Sequence, residues 1–429
     1  MSRDGKAARG GAQSGVRGGS ARGSATKRVM CGDVPIGGGA PVSIQSMTNT
    51  DTRDALATAA QIAALAAAGC DIVRCAVPDA AAAAALTGIR AELAARGVRI
   101  PIVADIHFDY RLAIAAIENG ADKIRLNPGN IGGADKVRAV AERARDAGVP
   151  LRVGVNGGSL EGAVAGGHGG EATAEALAKS ALMNIDRLKS MGFDDIVVSV
   201  KSSDARVCAD ALRVLSPLTD APVHLGVTEA GAGDRALVKS AIGIGPLLAE
   251  GIGDTMRVSL TCDPIREVYA ARDILASVGM LPGAIDVISC PTCGRCNVNL
   301  TRIADEVREA VSPLEAERVT SARGALFAAC TGGAGAAGPV GAPGIARRAR
   351  SRASGAGGVL TVAVMGCAVN GPGEAAHADM GVACGNGNAV LFERGVKTGT
   401  IAEADVVPVL LAKIRQAMSN DAKVGDGTH

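Results

Sequence analysis

The stretch IVRCAVPDAAAAAALTGIRAELAARGVRIPIVA, residues 72–104, decides the fold. A short apolar run, Ile72–Cys75, leads into an Ala-rich helical stretch, Ala80–Ala95, and then into a second run, Ile100–Ala104. Runs rich in Val and Ile, without strict alternation, suit strands buried on both faces. The same unit repeats outward on both sides. Val42–Met47 precedes it, and Lys123–Leu126, Leu151–Val155, Ile196–Val200, Val223–Val227 and Thr255–Ser259 follow. Helical patterns at Ala55–Ala68, Ala134–Ala147, Thr173–Met191 and Asp204–Leu215 lie between them. Eight strands alternating with helices over about 220 residues predict a (β/α)8 TIM-type barrel. A doubly wound sheet is the alternative, and the lack of an early G-x-G-x-x-G disfavours it.

A chain of 429 residues exceeds one ordinary domain. We assign the barrel to residues 29–280 and a smaller α/β domain to 281–418. The latter carries a helical stretch at Ile303–Val311, a β-like run at Val359–Met365, a strand at Ala389–Glu393 and a helix at Ile401–Met418. Residues 1–28 are rich in Gly, Ser and Arg and predict a disordered tail. That composition suits a transit peptide, but the segment lacks an amphipathic apolar stripe. Residues 332–358, GGAGAAGPVGAPGIARRARSRASGAGG, predict a mobile insert, and 419–429 a second tail.

The hydrophobic fraction of 48% supports a large core, although aromatics make up only 1%. A formal charge of +2 gives no reason to expect nucleic-acid binding. No apolar run of 18 residues appears, so no membrane span is expected. The 11 cysteines are odd in number and scattered through a long chain. That is not a secreted disulfide pattern, and it points to a reducing, cytoplasmic setting.

Chemistry in this fold sits at the carboxyl ends of the strands. The second run ends near Arg74, and Asp105 and His107 follow the third. Arg125 and Asn127 belong to the fourth, and Arg152 and Asn156 to the fifth. Lys201 and Ser202 follow the sixth, Thr228 and Glu229 the seventh, and the eighth carries Arg257 and Ser259. One such Arg is more often a surface ion-pair partner: Arg125 with Asp122, or Arg152 with Asp146. Asp105 and His107 could form a structural hydrogen bond, and Glu229 could cap a helix. Recurrence at five strands is what the bland reading does not predict. Four Arg and one Lys on one face repel each other unless an anion joins them, and a ligand with two phosphates matches the set. Gly243–Ile244–Gly245 is expected to add backbone N–H groups to this site.

Cys290 and Cys293 lie in SCPTCGRC, residues 289–296, and Cys367 opens CAVNGPGE, which ends at Glu374. A C-x-x-C pair with a distant third thiolate serves an iron–sulfur cluster or zinc, and spacing alone leaves both open. The Asn370–Gly373 turn would return Glu374 toward Cys367 as a hard, exchangeable ligand beside soft ones. Glu374 could equally form a surface ion pair. Cys296 offers a competing thiol. The other cysteines, Cys31, Cys70, Cys75, Cys208, Cys262, Cys330 and Cys384, read as small buried hydrophobes or incidental thiols, with Cys330 the least ordered.

Together these segments resemble the 4-hydroxy-3-methylbut-2-enyl diphosphate synthase family in its bacterial two-domain form. PIGGGAP (35–41), QSMTNT (45–50) and IRLNPGNIG (124–132) carry the likeness, with the two cysteine motifs. It covers about residues 29–320 and 358–418. The resemblance implies a pteroate-synthase-type barrel and a [4Fe–4S] cluster on Cys290, Cys293, Cys367 and Glu374. It implies 2-C-methyl-D-erythritol 2,4-cyclodiphosphate as substrate, reduced flavodoxin or ferredoxin as electron donor, and a homodimer whose cluster domain covers the partner's barrel mouth. The insert is longer than this family usually shows. On this reading Arg74, Arg125, Arg152, Lys201 and Arg257 anchor the diphosphate, helped by Asn156 and Ser259. Glu229 is the first carboxylate expected to move or hold a proton, with Asp105 and His107 next, and Glu374 gives way to the substrate. The rivals are a pterin-binding-type barrel enzyme with a structural zinc domain, and a non-enzymatic electron carrier.

Overall fold

The computed structural model describes residues 26–156, 173–331, 358–367 and 371–425. Strands β1 (Val29–Cys31) and β2 (Val34–Ile36) form an antiparallel hairpin. Next come β3 (Ser43–Met47), α1 (Ala55–Ala67), β4 (Ile72–Ala76), α2 (Ala80–Ala95), β5 (Ile102–Asp105) and α3 (Tyr110–Glu118). They lead to β6 (Lys123–Leu126), α4 (Pro128–Ile131), α5 (Ala134–Ala147), β7 (Leu151–Asn156), α6 (Ala174–Ser190) and β8 (Ile196–Lys201). The barrel ends with α7 (Ala205–Leu215), β9 (His224–Leu225), α8 (Gly233–Ala249), β10 (Thr255–Met256) and α9 (Pro264–Ser277).

The eight parallel strands run in the order β8-β7-β6-β5-β4-β3-β10-β9. A parallel bridge between Val198 and Val223 brings the two ends of that order together, giving a nearly closed barrel. Helices start where Asp side chains stand: Asp79 accepts from the Ala82 N–H, and Asp204 from those of Arg206 and Val207. Buried alanines such as Ala59, Ala82, Ala83 and Ala116 let helices approach the strands closely. That packing fills the interior with few aromatic side chains.

The hairpin closes the floor, with Val29, Cys31 and Ile36 packing on Ile72, Val103 and Val197. Just before it, the Thr26 hydroxyl donates to Asp254 (2.8 Å), and the Lys27 N–H donates to the Asp220 carbonyl (2.7 Å). Residues 26–28 are therefore structured, against the expected tail. Residues 1–25, all but the last residue of the expected insert at 332–358, and 426–429 lie outside the described residues.

The second sheet has the order β11-β12-β13-β14-β15, built from β11 (Ile285–Ser289), β12 (Leu360–Met365), β13 (Met380–Gly385), β14 (Asn388–Glu393) and β15 (Val396–Ala402). The helices of this part are α10 (Leu300–Thr331), α11 (Gly371–His377) and α12 (Val406–Gly425). Ile401 thus belongs to a strand, and α12 continues beyond the expected start of the tail at 419. The helix expected at Ile303–Val311 is only part of α10, which spans 32 residues. Its first half sends Leu300, Ile303, Val307 and Val311 into the core of this second sheet. Its second half sends Val319 into the barrel core. Arg323, only 4% exposed, donates to the Val42 carbonyl (3.0 Å) and pairs with Asp71 (2.5 Å). Pro313, which has no N–H to donate, lies between the two halves. Cys330, expected to be poorly ordered, closes α10, and its carbonyl accepts from Arg28 (2.7 Å). Among the described residues no helix is long and apolar enough to cross a membrane.

Candidate active site

Strand register explains why the mouth is basic. Ala76 pairs with Asp105, Asp105 with Arg125, Arg125 with Arg152, and Arg152 with Val197. Register partners share a face, and so do residues two or four apart on one strand. Arg74, Asp105, Arg125, Arg152 and Lys201 therefore all face the barrel axis. All five are buried, and Arg152 is only 1% exposed.

Asp105 organises one side. It takes a hydrogen bond from Arg125 (3.1 Å), pairs with Arg74 Nε (3.8 Å), and lies 3.2 Å from His107 Nε2. Burial alone would raise its pKa, but Arg74, the His107 hydrogen bond and Arg125 together hold it well below the usual carboxylate range. Neither of the bland pairings occurs: Arg125 is held by Asp105, while Asp122 is taken by Arg90. Among the described residues, Arg152 Nε and Nη1 find no hydrogen-bond partner. Burial pushes its pKa well below the usual arginine value, helped by Arg74 and Arg125. Burial likewise pushes Lys201 far down, with Arg152, Arg74 and Arg257 adding to it. Arg74 falls to about 10, chiefly by burial, despite the opposing pull of Asp105. A chain that keeps such groups ionised needs anionic charge beside them.

On the other side, Arg257 pairs with Glu267 of α9 (3.3 Å). The thioether of Met47 accepts from Arg74 (2.9 and 3.1 Å) and lies 3.6 Å from Arg257 Nη1. Five cationic groups against two buried carboxylates leave the mouth strongly positive. Ser259 is half-buried beyond β10, and the side chain of Asn156 lies outside the described residues. Asn127 accepts from the Gly129 N–H and so caps α4. Beneath this set, Lys123 and His224 are fully buried; Lys123 lies beside Cys31, and the His224 ring nitrogens find no hydrogen-bond partner among the described residues.

Glu229 is exposed at the rim, with φ of +53°. For a residue with a Cβ that conformation costs about 1–3 kcal/mol, and such strain concentrates at functional sites. Glu229 does not cap the following helix, since the N-cap of α8 is Ala232, with no side-chain hydrogen bond. Gly243–Ile244–Gly245 does not reach the anion site. The three residues lie inside α8, where a Cβ on Gly243 would meet Val227 at 2.4 Å. That glycine permits close helix packing and is not an anion ligand.

The cysteine motifs converge because their strands are neighbours. β11 and β12 pair in parallel, with Ser289 beside Val364, so Cys290 and Cys367 both follow the carboxyl end of this sheet. The Gly366 N–H donates to Cys290 Sγ (3.4 Å). A Cβ on Gly366 would meet Cys296 Sγ at 2.6 Å, so Cys296 stands in the same cleft. Cys296 itself donates to the Val298 carbonyl (3.3 Å). Cys293 is exposed, and hydrogen bonds from the Arg295 backbone and side chain lower its pKa and favour the thiolate. Glu374 is exposed on α11, and residues 368–370, which link it to Cys367, lie outside the described residues. Among the described residues no three His, Cys, Asp or Glu side chains form a ready metal-binding group. The donor chemistry still fits an iron–sulfur centre: thiols from both loops meet around Gly366, and no disulfide consumes them.

Residues 26–272 match the GcpE TIM-barrel domain, and residues 341–416 match the GcpE protein C-terminal domain. The chain belongs to the GcpE family. Among GcpE relatives, the 4-hydroxy-3-methylbut-2-en-1-yl diphosphate synthase (flavodoxin) of Geobacter sulfurreducens is 45% identical, covering 92% of this chain and 98% of the relative. The enzyme of the same name from Ruminiclostridium cellulolyticum is 44% identical, with coverages of 91% and 97%. Dihydropteroate synthase from Thermus thermophilus overlaps 59% of this chain and 98% of its own, at 18% identity and a TM-score of 0.43. Within this GcpE barrel, sequence reasoning missed Glu267 and Met47. Glu267 comes from the helix after the last strand, and Met47 looks like an ordinary strand apolar residue. Only their contacts reveal them.

Proposed function

We propose that this chain is a 4-hydroxy-3-methylbut-2-enyl diphosphate synthase. It is an oxidoreductase of isoprenoid biosynthesis that opens and dehydroxylates 2-C-methyl-D-erythritol 2,4-cyclodiphosphate with two electrons from reduced flavodoxin. Ferredoxin is the alternative donor. Family membership over nearly the whole chain supports the reaction class. The observation that carries the substrate class is a set of four buried cations on four strands, with half-buried Arg257 just past a fifth, facing two buried carboxylates among the described residues.

The two phosphates would lie against Arg74, Arg125, Arg152, Lys201 and Arg257, with Asn156 and Ser259 helping to anchor them. Their negative charge offsets the repulsion among these groups and favours the ionised Lys201 and Arg152. Asp105 holds Arg74 and Arg125 in a fixed fork. Its committed contacts favour this positioning role over proton transfer. Glu229, exposed and held in a strained backbone, is better placed to orient a substrate hydroxyl and hold its proton. Cys290, Cys293, Cys367 and Glu374 would hold a [4Fe–4S] cluster, which supplies electrons one at a time when bound. Cys296 would remain a neighbouring thiol.

The second half of α10 is fastened at Val42 and Asp71, which precede β3 and β4 at the face of the barrel opposite the mouth. The cysteines lie toward the other end of this helix, about 35 Å away along its axis at 1.5 Å per residue. This supports a head-to-tail homodimer in which the thiols of one copy cover the mouth of its partner. The test is anaerobic purification with iron and sulfide analysis, followed by turnover of the cyclic diphosphate with reduced flavodoxin. Brown, iron- and sulfide-containing protein that forms the linear diphosphate is expected. Colourless zinc protein without turnover would defeat the proposal.

A further inference from the structure

Resting on that reading, we propose that Glu267 is a positioning residue that couples two substrate-anchoring groups, Arg257 and Ser259, to the barrel wall. Glu267 is only 4% exposed and sits in the first turn of α9. One of its carboxylate oxygens takes the Leu260 backbone N–H (3.0 Å) and an Arg257 Nη2 hydrogen (3.3 Å). The other takes Arg257 Nε (3.3 Å), Nη2 (3.3 Å) and the Ser46 hydroxyl (3.2 Å). One carboxylate thereby fixes the plane of a guanidinium, pins the loop that carries Ser259, and ties both to β3.

The orientation matters for what remains open. With Nε and Nη2 turned onto Glu267, Arg257 leaves Nη1 facing Met47 Sδ at 3.6 Å, on the side where Arg74 also meets that sulfur. Met47 is an uncharged, weak acceptor, so it spaces two guanidiniums without neutralising either. A phosphate oxygen could displace so weak a contact readily. It would find the Arg257 Nη1 and Arg74 donors already aimed. Arg257 without Glu267 is a long, flexible cation among like charges, and it would swing away from Arg74.

Glu267→Gln keeps one acceptor for the Leu260 N–H but removes the charge that orients Arg257. Bound substrate and transition state both use this anchor, so KM should rise roughly tenfold or more while kcat changes little. The inhibition constant of inorganic diphosphate should rise in parallel. Glu267→Asp, which keeps the charge on a shorter arm, should restore part of the affinity. A matched control is Glu250→Gln, which breaks an Arg213–carboxylate pair on the outside of the barrel. It should leave both constants unchanged. The proposal is overturned if Glu267→Gln leaves both constants at the unmodified value, or if kcat falls with an unaltered diphosphate inhibition constant. Should Glu267→Gln fail to fold, Glu267→Asp decides through the same two constants. If the unmodified protein does not turn over the cyclic diphosphate, the enzymatic reading fails instead, and the two failures are distinguishable.

Discussion

The barrel mouth and the cysteine cleft are built on opposite principles. The mouth is preformed in the described chain: four cations are buried and aimed inward by strand register, half-buried Arg257 stands beside them, and Asp105 and Glu267 hold Arg74, Arg125 and Arg257. The cleft is half made. Its thiols range from buried Cys367 to exposed Cys293, and Glu374 stands in solvent on a short helix. A phosphate anchor has to be rigid before the ligand arrives, because mutually repelling cations will otherwise turn outward. A thiol site can be gathered by its own inorganic centre, since the binding energy of that centre does the ordering.

The largest expected effect lies in the cleft. Cys290→Ser should remove the visible absorbance and abolish turnover. Binding of inorganic diphosphate should stay within about threefold, as for sites that share no partner. Calorimetric titration checks this, and joint loss of both properties would mean that cleft and mouth are one cooperative unit. Next comes Arg152→Met, which should weaken diphosphate binding about 10- to 100-fold. It should also raise stability by about 1–4 kcal/mol, because it replaces a buried cation with an apolar side chain of similar length. Denaturant unfolding reads that gain, and a loss would show that Arg152 is not a liability in the free chain. Mixed dimers of these two impaired variants should turn over faster than either variant alone if one copy's thiols serve its partner's mouth.

The smallest effect is protonic. Lys201 is held well below its usual pKa by burial and then by Arg152 and Arg74, so anion binding should draw a proton onto it. Titrations of diphosphate in buffers of different ionisation enthalpy should reveal net proton uptake. In the ligand-free chain the sign follows the same group. Its folded pKa is depressed, so the unfolded chain holds more protons from that value up to 10.5. This group's contribution to stability should therefore rise with pH across that window. Melting temperatures of Lys201→Met against the unmodified chain, compared over the window, isolate it.

The barrel was legible because its strands are buried on both faces and so appear as apolar runs, as at Ile72–Cys75 and Ile196–Val200. The β1–β2 hairpin was not, since two strands of three residues carry no period to read. The length of α10 was hidden by Pro313 and by a change of buried face where the helix passes from one core to the other. At the site, recurrence of Arg at strand ends exposed the anchors. The carboxylates that aim them showed themselves only in three dimensions. Asp105 ends its own strand and was visible as a residue, though not as a clamp. Glu267 belongs to a different element from the arginine it holds.

The floor and the seam of the barrel carry a consequence for how the chain is made. Thr26 is joined to Asp254, 228 residues later, and β3 finds its second neighbour only in β10. During synthesis the first strands emerge long before that partner exists. They must wait with an unpaired edge and an apolar floor open to water, a state prone to sticking to other chains. Truncation anywhere before residue 254 should therefore yield insoluble fragments rather than smaller barrels. The ribosome has to release about three fifths of the polypeptide before any phosphate-binding mouth can exist.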